Sequence, residues 1–497
     1  MNPDLKFTLT QRAGIITCLF LFLLTNRTAF AQEWTFTPEI QQAYDLVLNL
    51  QPAEAMQLIP EPKTAQEIYV ISLAEAVELL ITGDNEKYET YHNAYEARTG
   101  KRSKSSLAED LFMQAEIRLH WAFVYMRFGD EFDAAWNLRQ AYLNMQDCKK
   151  KFPGFKAINK TSGFLHILIG SVPEKYNWVL NLMHMEGSIP GGLHELTSLR
   201  KTNHVLALET NILYSLIQGY VLQKTDSAAN EIKNLLEVYP NHRLLNFAGA
   251  ALSIKNSQSD EALRMLIKLE TLPQGMPLTL AYYLKGEAYL HKADYLNAIS
   301  AYRWFINNTK GQSNIKDSYY KIGLCYWLNG NKNDALDIFQ QAREKGQEIS
   351  EADKYAARTL AAKELPNIPL SKVRYFTDGG YYDQARRILD SIRSPEIPNK
   401  RDHIEYYYRK ARLAHKMGDI AEAKKFYTET IDNTPEESPW YFAPNACLQM
   451  GYLLRAENDL AGARRYFERV REYPRHEYKN SIDTKAKSAL SQLDERK

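Results

Sequence analysis

Small and aromatic residues recur at a fixed interval in the C-terminal half of the chain. Gly286 and Ala298 are followed 37 residues later by Gly323 and Ala335, so two separate anchors share one spacing. Aromatic residues accompany both units, as Tyr289, Tyr302, Tyr326 and Phe339. Each unit has a small residue in one helix, then a turn, then an alanine in the next helix. This pattern predicts a series of paired helices.

Close packing explains why these residue types recur. Gly323 and Ala335 let the two helices of a pair approach each other, and Tyr326 and Phe339 are expected to fill the space toward the next pair. Gly330 is expected to end the first helix, because glycine adopts a positive φ without strain.

The same residue types mark further units along the chain. They include Ala411, Gly418, Ala423, Tyr427 and Pro435; Gly451, Ala463, Phe467 and Pro474; a degenerate unit at Gly380, Tyr382, Ala385 and Leu389; weaker units at Ala228 and Ala262; and Ala122, Tyr125, Gly129, Ala134 and Leu138. Gly83-Asp84 predicts a turn between helices near residues 68–82 and 86–98. No run shows the sustained alternation of a strand. The pattern therefore predicts an all-α solenoid of tetratricopeptide-like helical hairpins.

One stretch, residues 147–203, breaks the period. It contains an apolar segment over residues 164–185, which Pro173 is expected to divide into two short helices. Glu174 and Lys175 lie inside the segment, so it is a poor membrane span. We expect a buried non-repeat helical hairpin that joins two repeat arrays. A membrane-surface patch and a partner-binding hairpin are the alternatives.

The first 31 residues have the pattern of a secretory signal. Lys6 and Arg12 form a basic region, residues 13–25 are apolar, and Ala29-Phe30-Ala31 is a cleavage site of the small-x-small type. An uncleaved membrane anchor is the alternative. We therefore expect an exported protein, periplasmic or associated with the outer membrane. The expected divisions are a signal peptide (1–31), N-terminal helical repeats (32–146), the apolar helical hairpin insert (147–203) and a C-terminal repeat array (204–497).

Charge gives no general attraction to nucleic acid or to anionic membranes. The chain carries a formal net charge of +2, and cleavage would remove three basic residues and one acidic residue, which leaves a net charge of zero. The three cysteines beyond the signal, Cys148, Cys325 and Cys447, are far apart in sequence, which excludes a disulfide framework. Three buried thiols are expected, with a single bridge as the alternative.

The sequence contains no recognisable set of catalytic residues. His194-Glu195 is not followed by the second histidine that a metalloprotease helix requires, and Gly191-Gly192 lacks the strand and spacing of a dinucleotide site. The cysteines have no Cys-x-x-Cys spacing, which argues against zinc binding and thiol exchange. The sequence thus predicts no catalytic, cofactor-binding or metal-binding residues, and a protein that is not an enzyme.

The interruption resembles a known family. A Gly-x(6)-Gly-Ser-x-Pro segment at Gly163, Gly170, Ser171 and Pro173 is followed by Gly187 and by Gly192-Leu193. This arrangement is similar to that of the inclusion-body-clearance and tetratricopeptide-repeat protein 39 family, over most of residues 40–480. The resemblance implies a helical repeat protein without enzymatic residues, and its eukaryotic members have roles in lipid and aggregate handling. The signal at the start of this chain indicates an exported bacterial version.

What remains is a surface that other molecules could bind. Stacked repeats leave a concave groove lined by the first helix of each pair, and the chain has 32 tyrosines, which suit such grooves. Packing between repeats is the alternative role for each groove residue. The predicted groove positions are Tyr283, Glu287, Tyr320, Trp327, Tyr408, Arg412, Tyr452 and Arg455.

We therefore expect a non-catalytic scaffold of the bacterial cell envelope that binds a protein or peptide in this groove. A glycan-binding module and a module that associates with lipid or the membrane surface through residues 164–185 are the alternatives. The sequence does not indicate the identity of the partner or the oligomeric state.

Overall fold

A computed structural model describes residues 33–101, 107–172, 177–272, 275–362, 365–393, 397 and 399–494. The predicted signal and Pro173 lie outside these ranges. The described residues form 25 α-helices and one short 3-10 helix, Val470–Glu472, without a strand among them. The chain is an all-helical solenoid of tetratricopeptide-like hairpins, as the sequence predicts.

Nine helices precede the C-terminal array. They are α1 (Pro38–Leu48), α2 (Pro52–Leu58), α3 (Ala65–Thr82), α4 (Asn85–Lys101), α5 (Ala108–Phe128), α6 (Glu131–Lys151), α7 (Ile158–Gly170), α8 (Asn177–Leu182) and α9 (Ile189–Arg200). Among the described helices, none combines the length and apolar character that crossing a bilayer requires.

Sixteen helices follow. They are α10 (Ala207–Tyr220), α11 (Thr225–Val238), α12 (Arg243–Lys255), α13 (Ser259–Thr271), α14 (Thr279–His291), α15 (Tyr295–Asn308), α16 (Ile315–Leu328), α17 (Lys332–Glu344), α18 (Glu351–Ala361), α19 (Ile368–Gly379), α20 (Tyr382–Ser391), α21 (Lys400–Met417), α22 (Ile420–Asn433), α23 (Phe442–Ala456), α24 (Leu460–Arg469) and α25 (Lys479–Asp494).

Local residues set the ends of these helices. Gly83, Gly129 and Gly330 have φ angles of +63°, +93° and +89° and follow the ends of α3, α5 and α16. A side chain on a β-carbon would strain this left-handed conformation, which is why glycine stands there. At the start of α3, Thr64 and Glu67 exchange hydrogen bonds in a capping box, which satisfies two amides that the helix leaves free.

Glycine and an aromatic ring form the contact inside several helical pairs. A β-carbon added to the glycine would lie within 2.6 Å of the ring in each case. The sequence placed Phe339 between successive pairs, but its ring instead covers Gly323 of its own pair. The three contacts, each across 16 residues of sequence, are Gly286–Tyr302, Gly323–Phe339 and Gly451–Phe467.

Within residues 147–203 the hairpin is formed by α7 and α9. The sequence instead placed the two helices on either side of Pro173. The glycines of the family-like motif meet at this hairpin: a β-carbon on Gly192 would lie 2.4 Å from the carbonyl oxygen of Gly163, and one on Gly187 would lie 2.2 Å from the amide of Gly170. Only glycine permits so close an approach of two backbones.

The solenoid is wound so tightly that helices distant in sequence touch. The α19 helix packs against α12, α14 and α16, and α25 reaches α9. The Met276 amide donates to the carbonyl oxygen of Leu50 at 2.9 Å, and Lys310 Nζ lies 2.7 Å from Asp84 Oδ2. Contacts across the superhelix therefore add to those between neighbouring repeats.

Candidate partner-binding chamber

The interior of the C-terminal array contains a chamber of about 580 Å³. Helices α16, α18, α19 and α21 and the segment before α25 line it. A smaller cavity of about 260 Å³ adjoins it, because both share Tyr320, Tyr355, Arg374 and Tyr375. The larger cavity of the two is the chamber, and its wall includes Tyr320, Tyr355, Arg374, Arg401, Glu405 and Glu477.

Tyr355 of the chamber wall belongs to a series of packed tyrosine rings. Tyr355 stacks on Tyr478 with ring centroids 5.3 Å apart, and Tyr441 meets Tyr478 edge to face at 5.5 Å. The Arg374 guanidinium lies 5.6 Å from the centroid of Tyr355 and donates to its hydroxyl oxygen at 3.3 Å. These contacts hold the rings and the guanidinium in fixed positions, as a preformed binding surface requires.

The buried carboxylate of Glu405 fixes Arg401 of the chamber wall. Arg401 Nη1 and Arg409 Nε each donate to Glu405 at 3.0 Å. Burial by itself would raise the pKa of Glu405, but Arg409 and Arg401 outweigh it and hold the pKa below its ordinary value. Glu405 is therefore ionised at neutral pH and orients Arg401 along the chamber wall.

Two polar atoms in the chamber wall have no partner among the described residues. They are Oε2 of Glu477 and Nε2 of His476, and both atoms are buried. Burial raises the pKa of Glu477 and lowers that of His476. Buried polar atoms are seldom left unbonded in proteins. The pair can therefore bond with the polar groups of a guest molecule.

Three of the predicted groove residues meet in this interior. Tyr320, with 3% of its surface exposed, lines both cavities, and Glu287 and Arg412 line the smaller one. Each charged group already has a partner: Lys321 lies 2.5 Å from Glu287, and Arg412 lies 2.9 Å from Asp378. Their charges are thus used to hold the interior together.

The other predicted groove residues pack within or between repeats. Tyr283 is buried and donates to Asp317 at 2.7 Å, and Tyr408 is buried against Tyr441 and Phe442. Trp327 is partly buried, and its indole donates to the carbonyl oxygen of Pro366 at 2.8 Å.

On α23, the guanidinium of Arg455 lies over the Tyr452 ring at 5.2 Å, outside the chamber wall. Sequence reasoning missed Tyr355, Arg374, Arg401 and Glu477. Tyr355 belongs to α18, a helix that is not part of any repeat unit predicted from the sequence. Arg374 belongs to α19, which lies in the degenerate unit.

One group of side chains has the donor types of a metal site. Oxygen or nitrogen atoms of Glu116, His120 and Glu209 lie within 4.8 Å of one another. The ammonium of Lys160 already lies 2.6 Å from Glu116 and 2.5 Å from Glu209, and it also donates to Tyr69 at 2.9 Å. A metal ion would have to displace this buried cation, so the group does not fit one, and its role is structural.

Two segments of the array match family models described as tetratricopeptide repeat. Residues 317–345 match one model, and residues 404–436 match another. They correspond to α16 with α17 and to α21 with α22, so the chain contains tetratricopeptide repeats. None of the curated proteins matches the sequence significantly.

Solved structures with a similar helical array share little sequence with this chain. The human IFIT1 dimer with PPP-AAAA is 11% identical, with 88% of this chain and 95% of that chain covered and a TM-score of 0.30. The apo quorum sensor NprR from B. thuringiensis is 11% identical, with 88% and 97% covered and a TM-score of 0.30. The Cut9–Hcn1 hetero-tetramer is 12% identical, with 90% and 89% covered and a TM-score of 0.26. At these scores the likeness carries no argument about ligands or partners.

Proposed function

We propose that this chain is a non-catalytic scaffold that binds a protein or peptide in the chamber. Tetratricopeptide arrays use their concave surfaces to bind other chains. The observation that carries the proposal is the pair of unpartnered buried atoms, Glu477 Oε2 and His476 Nε2, beside stacked tyrosines and fixed arginines. An extended peptide supplies both the backbone N–H groups and the side chains that such a wall accepts.

The mouth of the chamber allows a test that spares the core. Arg358 and Arg475 line the chamber and are exposed, so replacing them should leave folding intact. Partners that co-purify with the wild-type protein from envelope extracts, and cross-link to residues 355–375, should be lost with Arg358→Glu plus Arg475→Glu. Arg465→Glu, on the exposed face of α24, is the matched control and should keep them. Equal recovery with both variants would exclude the chamber as the binding site.

The cellular location is part of the same proposal. We infer export to the periplasm or outer membrane from the signal pattern at residues 1–31, and a distant relationship to the tetratricopeptide-repeat protein 39 family from the interruption motif. The close contacts of Gly163, Gly170, Gly187 and Gly192 support that relationship, since they give the motif glycines one shared packing role. Mass spectrometry of protein from an envelope fraction should find Gln32 as the first residue, whereas an N terminus at Met1 would count against export.

A second candidate function is association with a lipid surface through residues 164–185. It is favoured by the exposure of Trp178 and Leu182, which are 67% and 70% exposed and lie one turn apart on α8. Trp178→Ser plus Leu182→Ser should then abolish co-flotation with liposomes. Leu296→Ser is the control, because Leu296 is 78% exposed on α15. Absence of flotation by the wild-type protein would remove this candidate.

A further inference from the structure

Four basic side chains lie close enough together for their charges to interact. Lys255 is the last residue of α12, Arg412 and Lys416 lie in the C-terminal half of α21, and Lys485 lies in the middle of α25. Lys255 and Arg412 both line the cavity of about 260 Å³. The four residues, called the cationic site below, come from three helices that are far apart in sequence.

Carboxylates do not balance these charges. Among the described residues, no carboxylate lies within salt-bridge distance of Lys255, Lys416 or Lys485, and Arg412 pairs with Asp378, which also lies 3.8 Å from Arg374. Burial and then the charges of Lys485, Arg412 and Lys416 lower the pKa of Lys255 to about 8. Burial and the charge of Arg412 lower the pKa of Lys485. The same two effects also lower the pKa of Lys416, although Asp378 and Asp226 oppose them.

Neighbouring groups show the same local excess of positive charge. His415, between Arg412 and Lys416 in sequence, has its pKa lowered to about 4 by burial and by those two cations. Within the described part of the chain, the Lys255 ammonium contacts an aromatic face, the ring of Tyr220 at 5.2 Å.

Helix dipoles account for part of this arrangement. Lys255 and Lys416 lie in the last turns of their helices, where the negative end of the dipole favours a cation. Lys485 lies in the middle of a 16-residue helix, so no dipole end stabilises it. Proteins seldom hold several half-buried cations together without counter-charge, because burial and mutual repulsion both disfavour it.

We propose that the cationic site binds a phosphate-class anion. Four cations face two carboxylates, Asp378 and Asp226, which leaves an excess of two positive charges when Lys255 is protonated. One carboxylate group would neutralise only one of them, whereas a phosphoryl group carries about two negative charges at neutral pH. Lys and Arg are also the residues that bind phosphoryl oxygens most strongly. This site is separate from peptide binding in the chamber, and either can exist without the other.

Calorimetry with inorganic pyrophosphate and with O-phosphoserine tests the site in the full chain at constant ionic strength. We expect one binding site per chain. Lys485→Gln should weaken binding about tenfold or more, because one cation in the group is lost. Lys487→Gln is the matched control: it lies two residues further along α25, and its ammonium donates to the carbonyl oxygen of Val172 instead. It should bind the anion as the wild-type protein does.

The stability of the unliganded variants gives a second readout. Removing a repelled cation should raise the melting temperature of Lys485→Gln without anion, while pyrophosphate should raise the melting temperature of the wild-type protein more than that of the variant. If Lys485→Gln fails to fold, Lys255→Met replaces it in both measurements. If only pyrophosphate binds, the natural ligand is a free phosphate compound. If only O-phosphoserine binds, the natural ligand is a phosphoryl group carried by a partner protein.

Two results would overturn the proposal. One is that neither probe binds at a concentration of about 1 mM. The other is equal binding by the wild-type protein and Lys485→Gln. Neither result would change the loss of partners expected for Arg358→Glu plus Arg475→Glu. The proposal of anion binding and the proposal of peptide binding can therefore fail separately.

Discussion

Removing the ammonium of Lys160 is the sharpest test of the N-terminal core. The group is 3% exposed and lies 2.6 Å from Glu116, which is 1% exposed. Burial alone would raise the pKa of Glu116, but Lys160 and His120 outweigh it and lower the pKa from 4.5 to about 2. A shift of this size corresponds to about 3 kcal/mol. Lys160→Met leaves a buried carboxylate without its main partner, for which losses of roughly 3–5 kcal/mol are typical.

The pH dependence follows from the direction of the shift. A carboxyl group with a depressed pKa in the folded state stabilises the protein fully above its unfolded pKa, near 4.5 for Glu116. That contribution is lost as the pH falls through the folded value of about 2. The difference between the wild-type protein and Lys160→Met should therefore shrink from about 3 kcal/mol at pH 7 to about 1 kcal/mol at pH 3.

Hydrogen exchange read by mass spectrometry is the suitable assay, because a repeat array can unfold in parts. Faster exchange should be confined to peptides from α3, α5, α7 and α10, because these helices carry Lys160 and the groups it contacts, while α21 and α22 should exchange as before. Lys151→Met is the control: its pair with Asp147 is exposed, so a change of at most about 0.5 kcal/mol is expected. A loss under about 1 kcal/mol at pH 7, or a loss independent of pH, would refute the reasoning.

Two further predictions concern packing and thiol chemistry. Gly451→Ala should destabilise the last repeat by roughly 1–3 kcal/mol in urea unfolding, because the new β-carbon would lie 2.4 Å from the Phe467 ring. Gly100→Ala, with no neighbouring atom within 4 Å, should be neutral or stabilising by up to about 1 kcal/mol, and equal effects would contradict the packing argument. Cys148 and Cys447 are buried, and burial raises the pKa of each thiol to about 12, so neither should react with a thiol reagent at pH 8 until the protein is unfolded. Rapid reaction of either in the native protein would show that the thiols are accessible.

The repeats could be predicted from sequence because each is fixed by local contacts. Gly323 and Gly451 occupy places where a β-carbon would collide with a ring 16 residues later, so the residue types recur with the period. Gly330 ends a helix through its own φ angle. Such constraints act within one pair of helices, and they are therefore visible in the sequence of that pair.

The chamber could not be predicted in the same way, because it depends on how tightly the superhelix winds. Counting from Gly323 chose Tyr320, which lines both cavities. The same count from Ala411 chose Tyr408, which packing against Phe442 buries. Tyr355 reaches the interior from α18, which has no repeat signal, and meets Tyr478 only because the chain returns after more than a hundred residues.

The links between Lys310 and Asp84 and between Met276 and Leu50 change how the molecule should respond to tension. In a solenoid held only by contacts between adjacent units, each unit can be pulled open independently of distant ones. Here two links tie residues 276 and 310 to the amino-terminal helices, so stretching the part of the chain between residues 50 and 310 must break them first. Loosening the Lys310–Asp84 pair should therefore free the segment that precedes α16, the helix that carries Tyr320 of the chamber wall.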